Sequence, residues 1–284
     1  MMQPTITVIG GDQRLIVTAT ELAAGGYSVC CYLTAETTLK KADSLQEAME
    51  QADIVLLPLP LSNDDKTIQT MEGTLPFYEL LRYHKPLFLG GKAGPNFLQE
   101  ARDNNCRFQD YFLREELNIY NAIPTAEGAI AIAMKELPIT LSQANCLVTG
   151  FGRIGKLLAH RLKGMGANVT CTARKPADLA WIDAFGYQKL PTREIQKALS
   201  DYDVIFNTVP TMLFPKEVLH QTKQDVLLID LASKPGGVDF NAAKDLKRKA
   251  IHALSLPGKV APLTAGIIIK DTVLHLLQEQ NIIE

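Results

Sequence analysis

A chain of 284 residues with 46% hydrophobic content has the length for two domains and the apolar content for real cores. Its formal net charge of −2, with Lys and Arg spread along the chain, excludes disorder and provides no electrostatic footprint for nucleic acid or an anionic membrane. The most apolar run, Ile54 to Leu61, is broken by Pro58 and Pro60 and falls well short of the ~20 residues of a membrane span.

The amino terminus runs straight into a strand pattern, Thr5–Ile9, without the basic start and long apolar stretch of a signal peptide, so a cytoplasmic location is expected. Further strands are expected at Ser28–Leu33, Ile54–Pro58, Leu87–Leu89 and Arg107–Tyr111. A second set follows at Asn145–Thr149, Asn168–Ala173, Val204–Asn207, Val226–Asp230 and Ala250–Leu254. Helical patterns alternate with all of them, which is the signature of parallel sheets with crossover helices. The expected fold class is therefore α/β, with two doubly wound Rossmann-like domains joined by two linking helices. Residues 1–120 with a C-terminal helix 264–284 make a flavodoxin-like substrate domain, and 121–263 a dinucleotide-binding domain.

The first linking helix is expected from Thr125, as N-cap, to about Leu137. Its run Ala129–Met134 is apolar nearly all round, which predicts burial between the domains. The second opens at Pro262-Leu263-Thr264-Ala265-Gly266, and a small ligand is expected in the cleft these helices frame. The two halves also echo each other. Asp53 precedes a buried strand ended by Pro58, and Asp203 precedes one ended by Pro210.

The five cysteines, Cys30, Cys31, Cys106, Cys146 and Cys171, lack the spacing of a zinc or thioredoxin-like site and are expected to be free thiols. His84, His160, His220, His252 and His275 show no metal-ligand spacing, so no metal is expected.

Gly150-Phe151-Gly152-Arg153-Ile154-Gly155 follows a strand and opens a helix, the context in which this pattern binds a dinucleotide. Gly150 permits the tight turn, Gly152 lets a pyrophosphate approach, and Gly155 lets helix and strand pack closely. About 20 residues on, an NAD site carries an acid for the ribose hydroxyls. Here Thr172-Ala173-Arg174-Lys175 stands instead, with no acid before Asp178. Two cations and a hydroxyl suit a 2′-phosphate, so NADP is the expected cofactor. Its nicotinamide end is expected near Asn207, Thr208, Pro210, Ala232 and Ser233, beyond the carboxyl ends of strands. In the first half, Gly10-Gly11-Asp12-Gln13-Arg14 lacks the third glycine. Arg14 stands against the helix dipole there, either as a ligand for a carboxylate or as a solvated cation. Lys92, in Gly90-Gly91-Lys92, has the same two readings.

The stretches Ile9–Arg14, Asn121–Gly128, the glycine turn, Ala173-Arg174, Asn207–Pro210, Asp230–Gly237 and Leu256–Gly266 together resemble the A subunit of dipicolinate synthase from spore-forming bacteria. The resemblance is looser between about Thr34 and Arg114. It implies an NADP-dependent oxidation, during sporulation, of a dihydrodipicolinate-type intermediate from the lysine pathway to pyridine-2,6-dicarboxylate. It also implies a flavoprotein-like partner, the B subunit of dipicolinate synthase, with a homo-oligomer left open. For a small dicarboxylate substrate, the strand-end candidates are Arg14 with Asp12, Lys234 with Ser233, and the helix start Thr264-Ala265-Gly266; Lys259 and Lys92 are weaker. Lys234 and Ser233 are also the catalytic candidates, and no proton acceptor is evident. A D-2-hydroxyacid dehydrogenase is the alternative, but its Arg and His positions here read Ala232-Ser233-Lys234 and Leu256-Pro257-Gly258-Lys259, without the His. A non-catalytic, NADP-binding regulatory protein is the other alternative.

Overall fold

Short runs of β-branched and other apolar residues, too short for helices, form two fully parallel six-stranded sheets in the computed structural model, which describes residues 3–284. The chain divides into unit one, Met1–Asn121 with Ala261–Glu284, and unit two, Ala122–Val260.

Unit one begins β1 (Ile6–Ile9), α1 (Gln13–Ala24), β2 (Val29–Tyr32), β3 (Lys40–Lys41), α2 (Leu45–Glu50) and β4 (Ile54–Leu56). A small hairpin, β5 (Thr67–Ile68) with β6 (Leu75–Pro76), precedes α3 (Phe77–Leu81). Then come β7 (Leu87–Gly90), α4 (Pro95–Asp103), β8 (Arg107–Asp110) and α5 (Glu115–Glu136), which passes into unit two at Ala122. Unit two runs β9 (Asn145–Thr149), α6 (Arg153–Gly164), β10 (Asn168–Ala173), α7 (Pro176–Ala184), β11 (Gln188–Pro191) and β12 (Val204–Asn207). It continues with α8 (Lys216–Leu219), β13 (Leu227–Asp230), α9 (Phe240–Asp245), β14 (Lys249–His252) and α10 (Leu256–Val260). The last helix, α11 (Pro262–Glu279), belongs to unit one.

The sheet orders are β3-β2-β1-β4-β7-β8 and β11-β10-β9-β12-β13-β14. Each reverses direction beside its first strand, between β1 and β4 and between β9 and β12. Ligands of such sheets sit at these two points. In unit one β2-β1-β4-β7-β8 run in the order 2-1-3-4-5, and the two-residue β3 adds a sixth strand beyond β2. Besides the hairpin β5-β6, the strands missing from the expected set are β3 and β11, both at the edges of their sheets. The two residues of β3 are exposed lysines, and β11 buries none of its four residues, so neither has an apolar signature.

The echo between the halves has a physical basis. Asp53 Oδ2 accepts from Thr5 N at 2.9 Å, and Asp203 Oδ2 accepts from Asn145 N at 2.8 Å. In each unit one carboxylate ties the start of a central strand to its neighbour.

The first linking helix differs from expectation. It starts at Glu115, with Pro124 inside it, so Thr125 is not an N-cap. Its apolar run is not buried all round either. Ala126, Ala129, Ile130 and Ala133 enter the core of unit two, while Met134 is 59% exposed. Ala131 and Met134 stand exposed on the outer face, so the apolar run is longer than the buried face. In unit one, α1 and α11 meet at Gly266, where a Cβ would lie 2.5 Å from both the Arg14 carbonyl and Val17. Thr18 Oγ1 donates to the Gly266 carbonyl at 2.9 Å. Ala265 and Gly266 are therefore buried in helix packing and offer nothing to a substrate; Thr264 stays exposed.

All five cysteines are free. Burial pushes the Cys31 thiol up to about 11, and those of Cys146 and Cys171 up to about 12, so these three are inert packing groups. Among the described residues no helix is long and apolar enough to cross a membrane, and no cluster could hold a metal ion.

Burial opposes the charge of Asp203, yet the Lys223 ammonium at 2.7 Å and the Asn145 N–H hold its carboxyl below the usual carboxylate range. A depressed native pKa contributes stability above the unfolded value, and that stability is lost as pH falls through the native one. Asp203→Asn is expected to lower the thermal midpoint at neutral pH. The difference from wild type should shrink in acid, as calorimetric scans across pH will show.

Candidate functional site: one open and one closed glycine turn

The two units place a glycine turn at the same point, between the first strand and first helix of each sheet, but fill it differently. In unit two, β9 delivers Gly150 at φ +88°, a conformation few residues other than glycine adopt. A Cβ there would lie 2.6 Å from Thr208 Oγ1, and a Cβ on Gly155 would collide with the Gly150 carbonyl. Gly152 is the contrast. Its φ of −85° suits any residue, and a Cβ there would meet nothing within 4 Å. No side chain caps α6, so its amino terminus faces outward with the positive end of its dipole, as phosphate binding requires. Arg153 opens the helix and is exposed, while Ile154 packs on the core of unit two.

Beside the turn lies a cleft of about 450 Å³, lined by Gly150 and Gly152, by Arg174, Lys175 and Asp178 from the end of β10, and by Thr192. Arg174 and Lys175 are exposed. Thr172 is not available to a ligand, contrary to expectation. Its hydroxyl is buried, accepts from Gly150 N at 3.2 Å and lies 3.4 Å from the Thr192 hydroxyl, so it braces the turn from beneath. A larger depression of about 670 Å³ lies in unit one near Asp53, His84 and Arg107, at the amino-terminal edge of that sheet. Doubly wound sheets bind ligands at the opposite edge, so the smaller cleft is the candidate site.

The neighbouring strand ends are fixed by a buried polar network. Thr149 Oγ1 donates to Asn207 Oδ1 at 2.6 Å, and Asn207 Nδ2 donates to Asp230 Oδ1 at 2.8 Å and to the Val209 carbonyl at 3.0 Å. Asn207 is 1% exposed with its amide engaged at both ends, so it holds the loop and does not reach a ligand. Thr208 donates to the Thr149 carbonyl, and Pro210 is exposed beyond it. Ala232 is buried, with its N–H on Asp230 and its carbonyl 3.1 Å from His252 Nε2, while Ser233 and Lys234 stand exposed at the loop tip. Sequence reasoning missed Asp230, although an acid ending an apolar strand is itself a signal.

In unit one the turn is closed from within. Gly11 N donates to the Gln69 carbonyl at 2.8 Å, and Asp12 caps α1 by accepting from Arg14 N at 3.1 Å. The Arg14 guanidinium grips Asp12 through Nε and Nη2 and donates to the Leu59 carbonyl at 2.6 Å. At 9% exposure Arg14 is not the solvated cation of the second reading. It is a buried brace between the loops after β1 and β4, filling the reversal point. Lys92 remains exposed at φ +57°, with Asp110 accepting from its N–H and from Ala93 N, both at 2.9 Å.

Gly152→Val is expected to fold with wild-type stability and lose dinucleotide binding, whereas Gly155→Ala should cost about 1–3 kcal/mol of stability by overpacking. Denaturant unfolding with calorimetric binding separates the two. Arg14→Ala should destabilise unit one by about 1–3 kcal/mol, because it leaves the Leu59 carbonyl and the Asp12 carboxylate without their donor. Its dinucleotide affinity should stay at the wild-type value.

Residues 5–112 match the family model for the N-terminal domain of the dipicolinate synthase A subunit. Residues 124–256 match the D-isomer specific 2-hydroxyacid dehydrogenase, NAD binding domain. The chain is 33% identical to the dipicolinate synthase A subunit of Bacillus subtilis (strain 168), covering 96% of each. It superposes on the crystal structure of the same protein from Bacillus halodurans with a TM-score of 0.90 at 30% identity, covering 98% of this chain and 99% of the other. The Bacillus subtilis crystal structure gives 0.87 at 29% identity, covering 98% and 97%. A nicotinamide-dinucleotide turn in unit two and this likeness along nearly the whole chain lead to one conclusion: the chain belongs to the family of the dipicolinate synthase A subunit.

Proposed function

We propose that this chain is an NADP-dependent oxidoreductase that forms pyridine-2,6-dicarboxylate from a dihydrodipicolinate-type intermediate, as the A subunit of a two-component synthase. The observation that carries the reading is the open turn of α6 beside Arg174 and Lys175, in a chain of this family. When bound, the dinucleotide supplies a two-electron acceptor, taking a hydride from the substrate ring as a proton leaves and the ring becomes aromatic.

What remains is for the chain's own residues to do. The glycine turn and the α6 dipole hold the pyrophosphate. Arg174 and Lys175 grip the 2′-phosphate, Arg174 as a fork and Lys175 as a point charge. The loops at Val209-Pro210 and Ala232-Ser233 flank the nicotinamide end. Lys234, exposed on the second loop, pairs with a substrate carboxylate, with Ser233 beside it as a hydrogen-bond donor. Aromatisation provides a large driving force, so no elaborate acid–base pair is needed. Oxidation of a 2-hydroxyacid would need the Arg and His of those dehydrogenases. Here the first place holds Ser233-Lys234, and α10, at the second, contains no His.

We further propose that the protein works in the cytoplasm of the sporulating cell, on a branch of the lysine pathway, with a flavoprotein-like B subunit that completes or feeds the site. NADP reduction should be slow with the purified chain and rise on titration with that partner. Full activity alone would remove the partner from the reaction.

Calorimetric titration is expected to show NADP bound at least tenfold more tightly than NAD, since each charge-assisted bond contributes about 1.5–3 kcal/mol. Arg174 and Lys175 are exposed, so salt should weaken the preference. Arg174→Ala should remove most of it while leaving NAD affinity unchanged. Equal affinities for the two dinucleotides in the wild type would refute the assignment.

A further inference from the structure

Asp230 ends β13 and is wholly buried. Its Oδ1 accepts from Asn207 Nδ2 at 2.8 Å and from Ala232 N at 3.1 Å, and its Oδ2 accepts from Gly237 N at 2.8 Å. Accepting at every contact is the bonding pattern of the ionised carboxylate. The donors are one amide and two backbone N–H groups, and none is a cation. The imidazole of the paired strand residue, His252, is engaged with the Ala232 carbonyl. A Cβ on Gly236 would lie 2.7 Å from Asp230 Oδ2, and one on Gly237 would collide with Asn207 Nδ2. The glycine pair thus lets the loop fold tightly onto the carboxylate.

A buried charge surrounded by oriented dipoles, and not cancelled by a counter-ion, keeps its field in the low dielectric around it. It stands at the carboxyl end of the sheet, one strand from the reversal point between β9 and β12. Through Asn207 it is joined to the loop after β12, and through Ala232 and Gly237 to both stems of the loop that carries Ser233 and Lys234.

We infer that Asp230 is a positioning residue with an electrostatic role: it fixes these two loops and biases the site toward the oxidised nicotinamide ring. The inference rests on the placement of the nicotinamide end beside these loops. The oxidised ring carries a positive charge and the reduced ring none, so only the oxidised form gains from the carboxylate. The bias suits a chain that must capture the oxidised cofactor and release the reduced one.

The test is calorimetric affinity for oxidised and reduced NADP in the wild type and in Asp230→Asn, with circular dichroism to establish folding. A purely structural role would weaken both forms equally. In the wild type the oxidised form should bind at least as tightly as the reduced form. In folded Asp230→Asn the affinity ratio should move threefold or more toward the reduced form. A smaller movement overturns the inference, and so does a wild type that binds the reduced form more tightly. If the variant does not fold, the wild-type ratio alone decides. A wild type that binds neither form would instead overturn the cofactor assignment beneath it.

Discussion

Everything functional in this chain depends on where the backbone N–H groups of two glycine turns go. A helix amino terminus leaves its first donors without intrahelical partners, and something must satisfy them. In unit one the protein does so itself, with the Gln69 carbonyl on Gly11 and the Asp12 carboxylate on the first turn of α1. In unit two Thr172 braces the turn from below at Gly150, and α6 has no side-chain cap. The same topology therefore gives one sheet a sealed reversal point and the other an open one. A few side chains decide which is which. The Arg14 brace belongs to the seal, and placing a cation at the positive end of a helix is tolerable there because Asp12 and the Leu59 carbonyl surround it.

Below the open turn, Thr149, Asn207 and Asp230 form a line of buried polar groups across the ends of three adjacent strands. Partly satisfied networks of this kind are costly, and satisfied ones enforce a single arrangement. Here both ends of the Asn207 amide and both oxygens of Asp230 are engaged. The loops that carry Pro210, Ser233 and Lys234 are consequently held from beneath while their tips stay exposed. Such a site is set before a ligand arrives, which lowers the ordering cost of binding one.

The sequence was most informative where period and spacing had a single physical cause. The central strands are apolar because both faces of a parallel sheet are covered, so they were legible almost to the residue. The glycine turn was legible because Gly150 and Gly155 answer steric demands of the fold itself, while Gly152 stands where the chain makes none. The edge strands β3 and β11 were not, since exposed strands carry no apolar signal. The hydroxyl of Thr172 and the amide of Asn207 stand where ligand contacts are found, yet both turn inward. A polar side chain at a strand end can serve the ligand or the loop, and its type does not distinguish the two. Arg14 is a similar case. A residue set against its local preference marks a compensating partner, and here the partner was two residues away.

The central claim is that dinucleotide binding belongs to the open turn of unit two and not to the sealed turn of unit one. Amide hydrogen exchange followed by mass spectrometry, with and without saturating NADP, addresses it directly. Protection on binding should centre on Gly150–Leu158 and the Arg174-Lys175 segment, leaving Gly10–Ala19 unchanged. Protection of Gly10–Ala19 without change at Gly150–Leu158 would contradict the account.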